Sequence, residues 1–255
     1  MKLDNLREKK GKEKIVMLTA YDYQMAKLLD KTGIDLILVG DSLGMVVRGY
    51  PNTKKVTMRN MLYHIEAVAR GSKQVPVIGD MPINTCQTPA IALKNAKAFI
   101  KAGAIGVKVE GYLPAVIKKL ISNSIPVMGH VGLLPQTAPK YQLVGKTKKE
   151  VERILQDAMG LDKLGVFSIV LECIPSGLAK RITESVTVPT IGIGAGKYSD
   201  GQVLVINDLL GMDEDFQPKF VKRFANLSPM IKQAVINFRD EVKRGSFPDE
   251  EHAYF

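Results

Sequence analysis

Three acidic residues stand at the ends of apolar segments that have the composition of buried strands. Asp41 follows IDLILVG, Asp80 follows VPVIG, and Glu110 ends IGVKVE. If these segments are neighbouring parallel strands, their carboxyl ends bring the three carboxylates together at one edge of the sheet. Carboxylates crowded into a partly buried cleft raise one another's pKa, and a set of oxygen ligands favours a hard cation such as Mg²⁺. Together the three residues predict a Mg²⁺ site, although any one of them alone is better explained by a helix cap or a lysine partner.

A lysine and a serine accompany these acids. Lys108 and Glu110 are two residues apart in VKVEG, so in a strand both side chains point to the same face. A lysine beside a metal-binding carboxylate suits an anionic substrate, and Ser42 adds a hydroxyl next to Asp41. The simpler alternatives are that Lys108 only neutralises Glu110 and that Ser42 only begins the next turn.

Glu172 is the candidate for a general base. It ends the apolar segment SIVLE, where burial would raise its pKa towards neutrality and suit it to proton abstraction. A structural ion pair explains the residue equally well. His130, in MGHVG, is a candidate donor to a substrate oxygen, whereas Cys173 fits packing better than nucleophilic catalysis. These patterns predict a Mg²⁺-assisted reaction of a small carboxylate or keto acid, with enolate chemistry and a base on the far side of the substrate.

The elements that position these residues follow from a repeated apolar, β-branched pattern. Eight such segments alternate with helical patterns, which is typical of βα units and not of a meander. We therefore predict an α/β fold, a (β/α)8 TIM barrel formed as a single domain by residues 1–255, with an open doubly wound sheet as the alternative. Active sites of such barrels lie at the carboxyl ends of the strands. The eight segments are KIVMLTA, IDLILVGDS, VPVIGDMP, IGVKVEG, IPVMGHVG, FSIVLECIP, VPTIGIGAG and QVLVIND.

Local signals mark the helix boundaries. Thr88 and Thr147 are predicted N-cap residues, and Ser228 is predicted to open a final amphipathic helix. Gly33 and Gly103 follow lysine-containing helix ends, where a residue in the left-handed conformation is expected. These signals place helices between the predicted strands.

Composition and charge limit the classes of partner. The chain has 36 lysine and arginine residues against 26 acidic residues, a formal charge of +10. The lysines are spread over predicted helix faces, so we expect an ordinary charged surface and no nucleic-acid partner. The absence of a secretory pattern, and of any apolar run near the roughly 20 residues of a membrane helix, predicts a cytoplasmic protein without membrane contact. The 2 cysteines have no metal or disulfide spacing and are expected to be reduced.

Six longer motifs occur in order along nearly the whole chain. They are MLTAYDY, VGDSLGM, VKVEG, GHVGLLPQ, VLECIP and IGIGAGKYSDGQVLV. Together they resemble the ketopantoate hydroxymethyltransferase family. The resemblance implies a (β/α)8 barrel of the phosphoenolpyruvate/pyruvate type. It also implies transfer of a hydroxymethyl group from 5,10-methylenetetrahydrofolate to 3-methyl-2-oxobutanoate, giving 2-dehydropantoate for pantothenate synthesis, by a homo-oligomer whose best-known form in the family has ten subunits.

The residue roles that this resemblance implies agree with those read from the strand ends. Glu172 would be the proton acceptor, and His130 would lie near the substrate. Ser42 and Lys108 would hold the carboxylate of the keto acid. The Mg²⁺ ligands would be Asp41, Asp80 and Glu110. Asp41 and Asp80 would also belong to the substrate site, and Glu110 would act directly or through water.

One loop departs from the family pattern. Residues 140–146 read KYQLVGK where the family usually has a glycine, an aromatic residue, a basic residue and VQG, and the preceding loop looks shortened. The loop after the fifth strand is expected to help cover the active site, and this departure leaves that role open.

Two other functions are compatible with parts of the sequence. A Mg²⁺-dependent lyase of the phosphoenolpyruvate/pyruvate barrel group would use the same carboxylates, but such lyases often carry a catalytic cysteine on a rim loop, which this sequence lacks. A nucleic-acid-binding protein would explain the positive charge. It would not explain acidic residues at the strand ends, because these repel phosphate.

Overall fold

Eight parallel strands close into a barrel in the computed structural model, which describes residues 3–215 and 217–254. Each strand pairs with its neighbour in the sequence, and the last strand pairs with the first. The predicted (β/α)8 barrel is confirmed, and the open sheet is excluded. The strands are β1 (Ile15–Thr19), β2 (Leu36–Val39), β3 (Val77–Asp80), β4 (Gly106–Glu110), β5 (Val127–Gly132), β6 (Ser168–Glu172), β7 (Thr190–Ile193) and β8 (Gly201–Leu204).

Helices lie between most consecutive strands, and those within residues 58–185 bury one apolar face each. Within the described ranges, no helix combines the length and the apolarity that a bilayer span requires. Short 3₁₀ turns lie at Thr53–Lys55 and Glu250–His252. The α-helices are α1 (Asp4–Lys9), α2 (Tyr23–Leu29), α3 (Leu43–Val46), α4 (Met58–Gly71), α5 (Pro89–Lys101), α6 (Pro114–Ile121), α7 (Lys148–Leu164), α8 (Ser176–Ser185), α9 (Ile206–Leu209) and α10 (Leu227–Arg244).

Most helix boundaries follow the local signals in the sequence. Thr88 and Thr147 each accept a hydrogen bond from the backbone N–H three residues further on, so both N-caps are confirmed. Gly33 and Gly103 have φ angles of 76° and 108°, the left-handed conformation expected after a helix.

The predicted start of the last helix is wrong by two residues. The N-cap position of α10 is Asn226, whose side chain makes no capping hydrogen bond. The hydroxyl of Ser228 instead donates to Glu214 Oε1 at 2.8 Å. Ser228 therefore pairs with a side chain outside the helix and does not act as the N-cap that the Ser-Pro sequence predicted.

The strands are apolar inside the barrel and become polar at their carboxyl ends. The pairing of β3 with β4 sets Asp80 opposite Lys108, and the pairing of β4 with β5 sets Glu110 opposite His130. Glu172 ends β6 next to the end of β5. Polar side chains of neighbouring strands therefore lie at the same level, above a buried apolar cluster. That cluster includes Ile15, Met17, Leu36, Leu38, Ile78, Met128, Val170, Ile191 and Val203.

The chain divides into two compact units. Met1–Val205 contains the barrel, and Ile206–Phe255 contains α9 and α10. In the second unit, none of the side chains of α10 is buried, although many are apolar. Met230, Val235 and Phe238 are all more than half exposed, at 64%, 60% and 56%. That the whole chain forms one domain stays a prediction.

Candidate active site

The carboxylates at the ends of β2, β3 and β4 converge. Asp80 and Asp41 are 1% and 6% exposed, and the backbone N–H of Asp41 donates to Asp80 Oδ2 at 3.3 Å. Lys108 Nζ donates to both carboxylate oxygens of Asp80, each at 2.9 Å. The direct partner of the lysine in VKVEG is therefore Asp80, while its charge also acts on Glu110 through space.

The carboxylates in this cluster outnumber its lysine. Burial, reinforced by the charge of Asp80, raises the pKa of Asp41 to about 7. Burial also raises the pKa of Glu110 to about 8; Lys108 opposes this shift, and the other two carboxylates add to it. For Lys108 itself, burial lowers the pKa but the three carboxylates outweigh it, so the pKa is raised. Three ionised carboxylates facing one ammonium leave two formal negative charges, and the cluster is short of positive charge.

A hard divalent cation fits this cluster. The donors are carboxylate oxygens, and a charge of +2 would balance what Lys108 leaves uncompensated. Among the described side chains, no group of three or more histidine, cysteine, aspartate or glutamate residues is placed to hold a metal ion by itself. Mg²⁺ usually binds through one or two carboxylates and keeps its other positions for water and substrate. The arrangement would therefore suit direct ligation by Asp41 and Asp80, with Glu110 reached through water.

Glu172 and His130 approach the cleft from β6 and β5. Since β6 lies opposite β2 in the ring of eight strands, Glu172 enters from the side opposite Asp41. His130 is fully buried, with Nε2 3.2 Å from Glu172 Oε2 and Nδ1 3.8 Å from Glu110 Oε2. Burial and the charge of Lys108 lower the pKa of His130, which favours the neutral imidazole. The imidazole thus lies between the carboxylates of Glu172 and Glu110, and neither ring nitrogen makes a hydrogen bond within the described residues.

Ser42 lies next to the carboxylate cluster, and its hydroxyl is held by Tyr21. The two hydroxyl oxygens are 2.8 Å apart, and either hydroxyl can donate. Tyr21 is 4% exposed, and its backbone carbonyl accepts from His64 Nδ1 at 2.6 Å. These contacts fix the position of the Ser42 hydroxyl beside Asp41.

Gln136 is a site residue that the sequence patterns did not reveal. Its side-chain amide donates to Asp41 Oδ2 at 3.0 Å, and its backbone N–H donates to Glu110 Oε1 at 3.0 Å. The residue ends the motif GHVGLLPQ, but a glutamine in a loop has no period or spacing that points to carboxylates 95 and 26 residues away. The sequence feature that could have identified it was its place at the end of GHVGLLPQ, one of the motifs that carry the family resemblance.

The loop between β5 and α7 borders a cavity of about 360 Å³. Lys54 Nζ donates to the carbonyl of Ala138 at 3.0 Å, just before the divergent stretch, and the N–H of Val144, within it, donates to the carbonyl of Cys173 at 3.0 Å. The carboxylate cluster does not line this cavity. The candidate active site is therefore the cleft at the strand ends where the carboxylates and Lys108 converge. Residues that line the cavity include Gly111, His130, Leu134, Val144, Arg153 and Asp157.

The two cysteines are unsuited to nucleophilic catalysis. Burial raises the pKa of the Cys86 and Cys173 thiols to about 11, with the charge of Glu172 adding to the shift of Cys173. Both thiols therefore stay protonated near neutral pH. This weighs against the lyase alternative, in which a rim cysteine reacts.

Solved structures of other enzymes share the fold at low sequence identity. A 2,3-dimethylmalate lyase, a member of the PEP mutase/isocitrate lyase superfamily, is 16% identical with a TM-score of 0.61, covering 98% of this chain and 91% of that chain. A phosphonopyruvate hydrolase in complex with oxalate and Mg²⁺ is 12% identical with a TM-score of 0.64, covering 98% and 92%. These likenesses show the fold that this chain shares with them, a closed barrel of eight parallel strands.

Relatives with much higher identity share one activity. The 3-methyl-2-oxobutanoate hydroxymethyltransferase of Caldicellulosiruptor saccharolyticus is 54% identical over 256 residues, covering 98% of this chain and 97% of that protein. The enzyme of the same name from Syntrophomonas wolfei is 52% identical over 254 residues, covering 97% and 92%. A family model for ketopantoate hydroxymethyltransferase matches residues 1–250. The chain is an enzyme that transfers a hydroxymethyl group to 3-methyl-2-oxobutanoate, and it belongs to the ketopantoate hydroxymethyltransferase family.

Proposed function

We propose that the enzyme holds Mg²⁺ at the ends of β2 and β3 and binds 3-methyl-2-oxobutanoate there. Asp41 and Asp80 would be direct ligands, and Glu110 would act through a water molecule. The observation that carries this proposal is the convergence of three carboxylates on a single buried lysine. The related barrel of phosphonopyruvate hydrolase has been solved with oxalate and Mg²⁺, and oxalate presents paired oxygens as a 2-keto acid does. When bound, the ion would polarise the keto group and favour formation of the enolate.

Lys108 and Ser42 are the proposed ligands of the substrate carboxylate. An ammonium group has three donors, and Lys108 gives two hydrogen bonds to Asp80, which leaves one donor for the substrate. Ser42 offers a hydroxyl whose position Tyr21 fixes. A neutral His130 would donate one ring N–H to a substrate oxygen or to Glu172. The keto acid would then be oriented from both sides of the cleft.

Glu172 is the proposed general base. Removal of the C3 proton leaves charge that moves onto the keto oxygen, so a base has to stand across the substrate from the cation. Glu172 enters opposite Asp41, and its side chain is 18% exposed, compared with 2% for Asp80, so that a bound substrate can reach it. Lys108 is a poor base, because its pKa is raised and it stays protonated.

We propose 5,10-methylenetetrahydrofolate as the donor of the one-carbon unit. The enolate carbon must attack a one-carbon unit at the oxidation level of formaldehyde, and this folate carries one; water supplies the hydroxyl oxygen, and tetrahydrofolate is released. The test is an assay with keto acid, Mg²⁺ and methylenetetrahydrofolate. We expect 2-dehydropantoate only when all three are present. Cleavage of a carbon–carbon bond in a keto acid without folate would instead support the lyase alternative.

The raised pKa of Asp41 predicts how pH and metal act on stability. Without a bound cation, the folded state keeps this proton up to about pH 7, whereas the unfolded state releases it near pH 3.9, roughly the value of a free aspartate. Between these values the folded state binds more protons, so the free energy of unfolding falls as pH rises. We therefore expect the Tm in chelator to fall as the pH rises from about 4 to about 7, the interval between the two pKa values, and to fall less for Asp41→Asn.

Mg²⁺ should reverse this loss, because a cation compensates the ionised carboxylates. At the upper end of the pH range, added Mg²⁺ should raise the Tm of the wild type more than that of Asp41→Asn. Thermal melts across pH, with and without Mg²⁺, measure both effects. If the plots of Tm against pH run parallel for the wild type and Asp41→Asn, both with and without Mg²⁺, then Asp41 does not carry the uncompensated charge.

We also propose that the enzyme is a homo-oligomer, with ten subunits as the expected form. The exposed apolar side chains of α10 supply a surface that a second copy would bury. Light scattering coupled to size-exclusion chromatography should give a mass several times that of the 28.0 kDa chain. A stable, fully active monomer would refute this prediction.

A cytoplasmic location and the absence of nucleic-acid and membrane partners are part of the same proposal. The acidic residues at the carboxyl ends of the strands repel phosphate, and the basic residues are dispersed along the sequence. Binding of RNA or DNA that weakens steeply as salt rises would contradict it, because that slope is the mark of phosphate contacts.

A further inference from the structure

Gln136 joins three strand ends of the active site. It lies between β5 and α7 and is 8% exposed. Its Nε2 donates to Asp41 Oδ2, beyond β2, at 3.0 Å, and to the carbonyl of Met81, directly after β3, at 2.9 Å. Its backbone N–H donates to Glu110 Oε1, at the end of β4, at 3.0 Å. One residue therefore holds two of the three carboxylates and is anchored on the strand that carries the third.

The amide group is suited to orient carboxylates without replacing a cation. A glutamine NH₂ has two donors, and here one is used on the Asp41 carboxyl group and the other on the Met81 carbonyl, which can only accept, so the amide has a single orientation. Because the amide is neutral, it does not compensate the negative charge of the carboxylate cluster. Its bond to Oδ2 of Asp41 leaves Oδ1 for a further partner, and the backbone bond to Oε1 of Glu110 leaves Oε2, which lies on the His130 side.

We propose that Gln136 is a positioning residue for the metal site. It fixes the Asp41 carboxylate for direct ligation and holds the Glu110 carboxylate for contact through water. This inference rests on the proposed Mg²⁺ site. Groups that hydrogen-bond to metal ligands set their orientation, and their removal typically lowers metal affinity about 10 to 100-fold.

Calorimetric titration of the full-length protein with Mg²⁺ alone tests the proposal. Gln136→Met keeps the length of the side chain but removes both amide donors, and we expect the Kd for Mg²⁺ to rise about 10 to 100-fold. In kinetic assays the Mg²⁺ concentration for half-maximal rate should rise by a similar factor, while kcat recovers at saturating Mg²⁺. A purely structural defect would instead lower kcat at every Mg²⁺ concentration and would overturn the proposal.

Two further variants make the outcome unambiguous. Gln142→Met is the matched control, since Gln142 lies exposed in the same loop, and it should bind Mg²⁺ like the wild type. Gln136→Asn, with an amide one methylene shorter, should lose affinity in the same direction as Gln136→Met.

The metal site itself is tested separately with Asp80→Asn. If the wild type and Asp80→Asn bind Mg²⁺ equally, the proposed metal site is wrong. If the wild type binds Mg²⁺, Asp80→Asn does not, and Gln136→Met binds with wild-type affinity, then the metal site stands and the role of Gln136 is overturned.

Discussion

Glu172→Gln should lower kcat by about 10² to 10⁴-fold, with little change in the KM for 3-methyl-2-oxobutanoate. The amide has nearly the shape of the carboxylate but cannot take up the C3 proton. The KM should hold because the proposed ligands of the keto acid, Lys108 and the ion, would bind it from the other side of the cleft. The contact with His130, whose Nε2 is 3.2 Å from Glu172 Oε2, can persist with the amide oxygen.

Steady-state kinetics with a matched control measure this effect. Glu152→Gln makes the same chemical change at an exposed position on α7 and should leave kcat unchanged. If Glu172→Gln kept the wild-type kcat, the base would be a different residue, and His130 would be the next to test.

Asp80→Asn should abolish Mg²⁺-dependent activity. The substitution removes one proposed ligand and one charge from the cluster while it keeps a side chain of similar shape beside Lys108. Asp240→Asn is the control, because Asp240 is only partly buried on α10, where its side chain is 43% accessible and pairs with Arg239. Full activity of Asp80→Asn in chelator-treated buffer would show that the reaction does not need this ligand.

Asp80→Ala should lose stability as well as activity. Asp80 accepts two hydrogen bonds from Lys108, and the two side chains are 2% and 7% exposed. Removal of one partner from a buried ion pair costs as much as about 3–5 kcal/mol, because the other charge stays buried. Chemical denaturation should therefore give a lower unfolding free energy for Asp80→Ala than for the wild type. Equal unfolding free energies for the wild type and Asp80→Ala would show that the pair is not needed for stability.

The fold could be predicted from the sequence because its signals are local and repeat. Each strand is a short apolar run, and each of the helices that begin after Thr88 and Thr147 carries its cap within three residues. Eight repeats of this kind leave few alternatives to a barrel. The start of α10 was misplaced because the hydroxyl of Ser228 pairs with Glu214, a contact that no local pattern records.

The site could be predicted only in part. The carboxylates of Asp41, Asp80 and Glu110 were found because strands of a barrel expose polar residues at one end. Which of them Lys108 contacts directly depends on the register of β3 with β4, and the spacing within VKVEG does not contain that register.

The contacts that His130 and Gln136 make with distant segments were not predictable from the sequence. The motif of His130 contains no acid, yet Glu110 and Glu172 reach its ring from the two neighbouring strands. Gln136 reaches the carboxylates because its loop folds back over the strand ends. Such contacts are set by the closed geometry of the barrel and not by spacing along the chain.

The exchange of the C3 hydrogen of 3-methyl-2-oxobutanoate with solvent deuterium tests most directly the claim that a bound cation and Glu172 together form the enolate. This step needs the keto acid, Mg²⁺ and the base but no folate, and it is followed by NMR in D₂O. We expect the wild type to catalyse exchange with Mg²⁺, to lose it in chelator, and Glu172→Gln to be slower by about 10² to 10⁴-fold. Exchange by Glu172→Gln at the wild-type rate, or exchange by the wild type that persists in chelator, would contradict the claim.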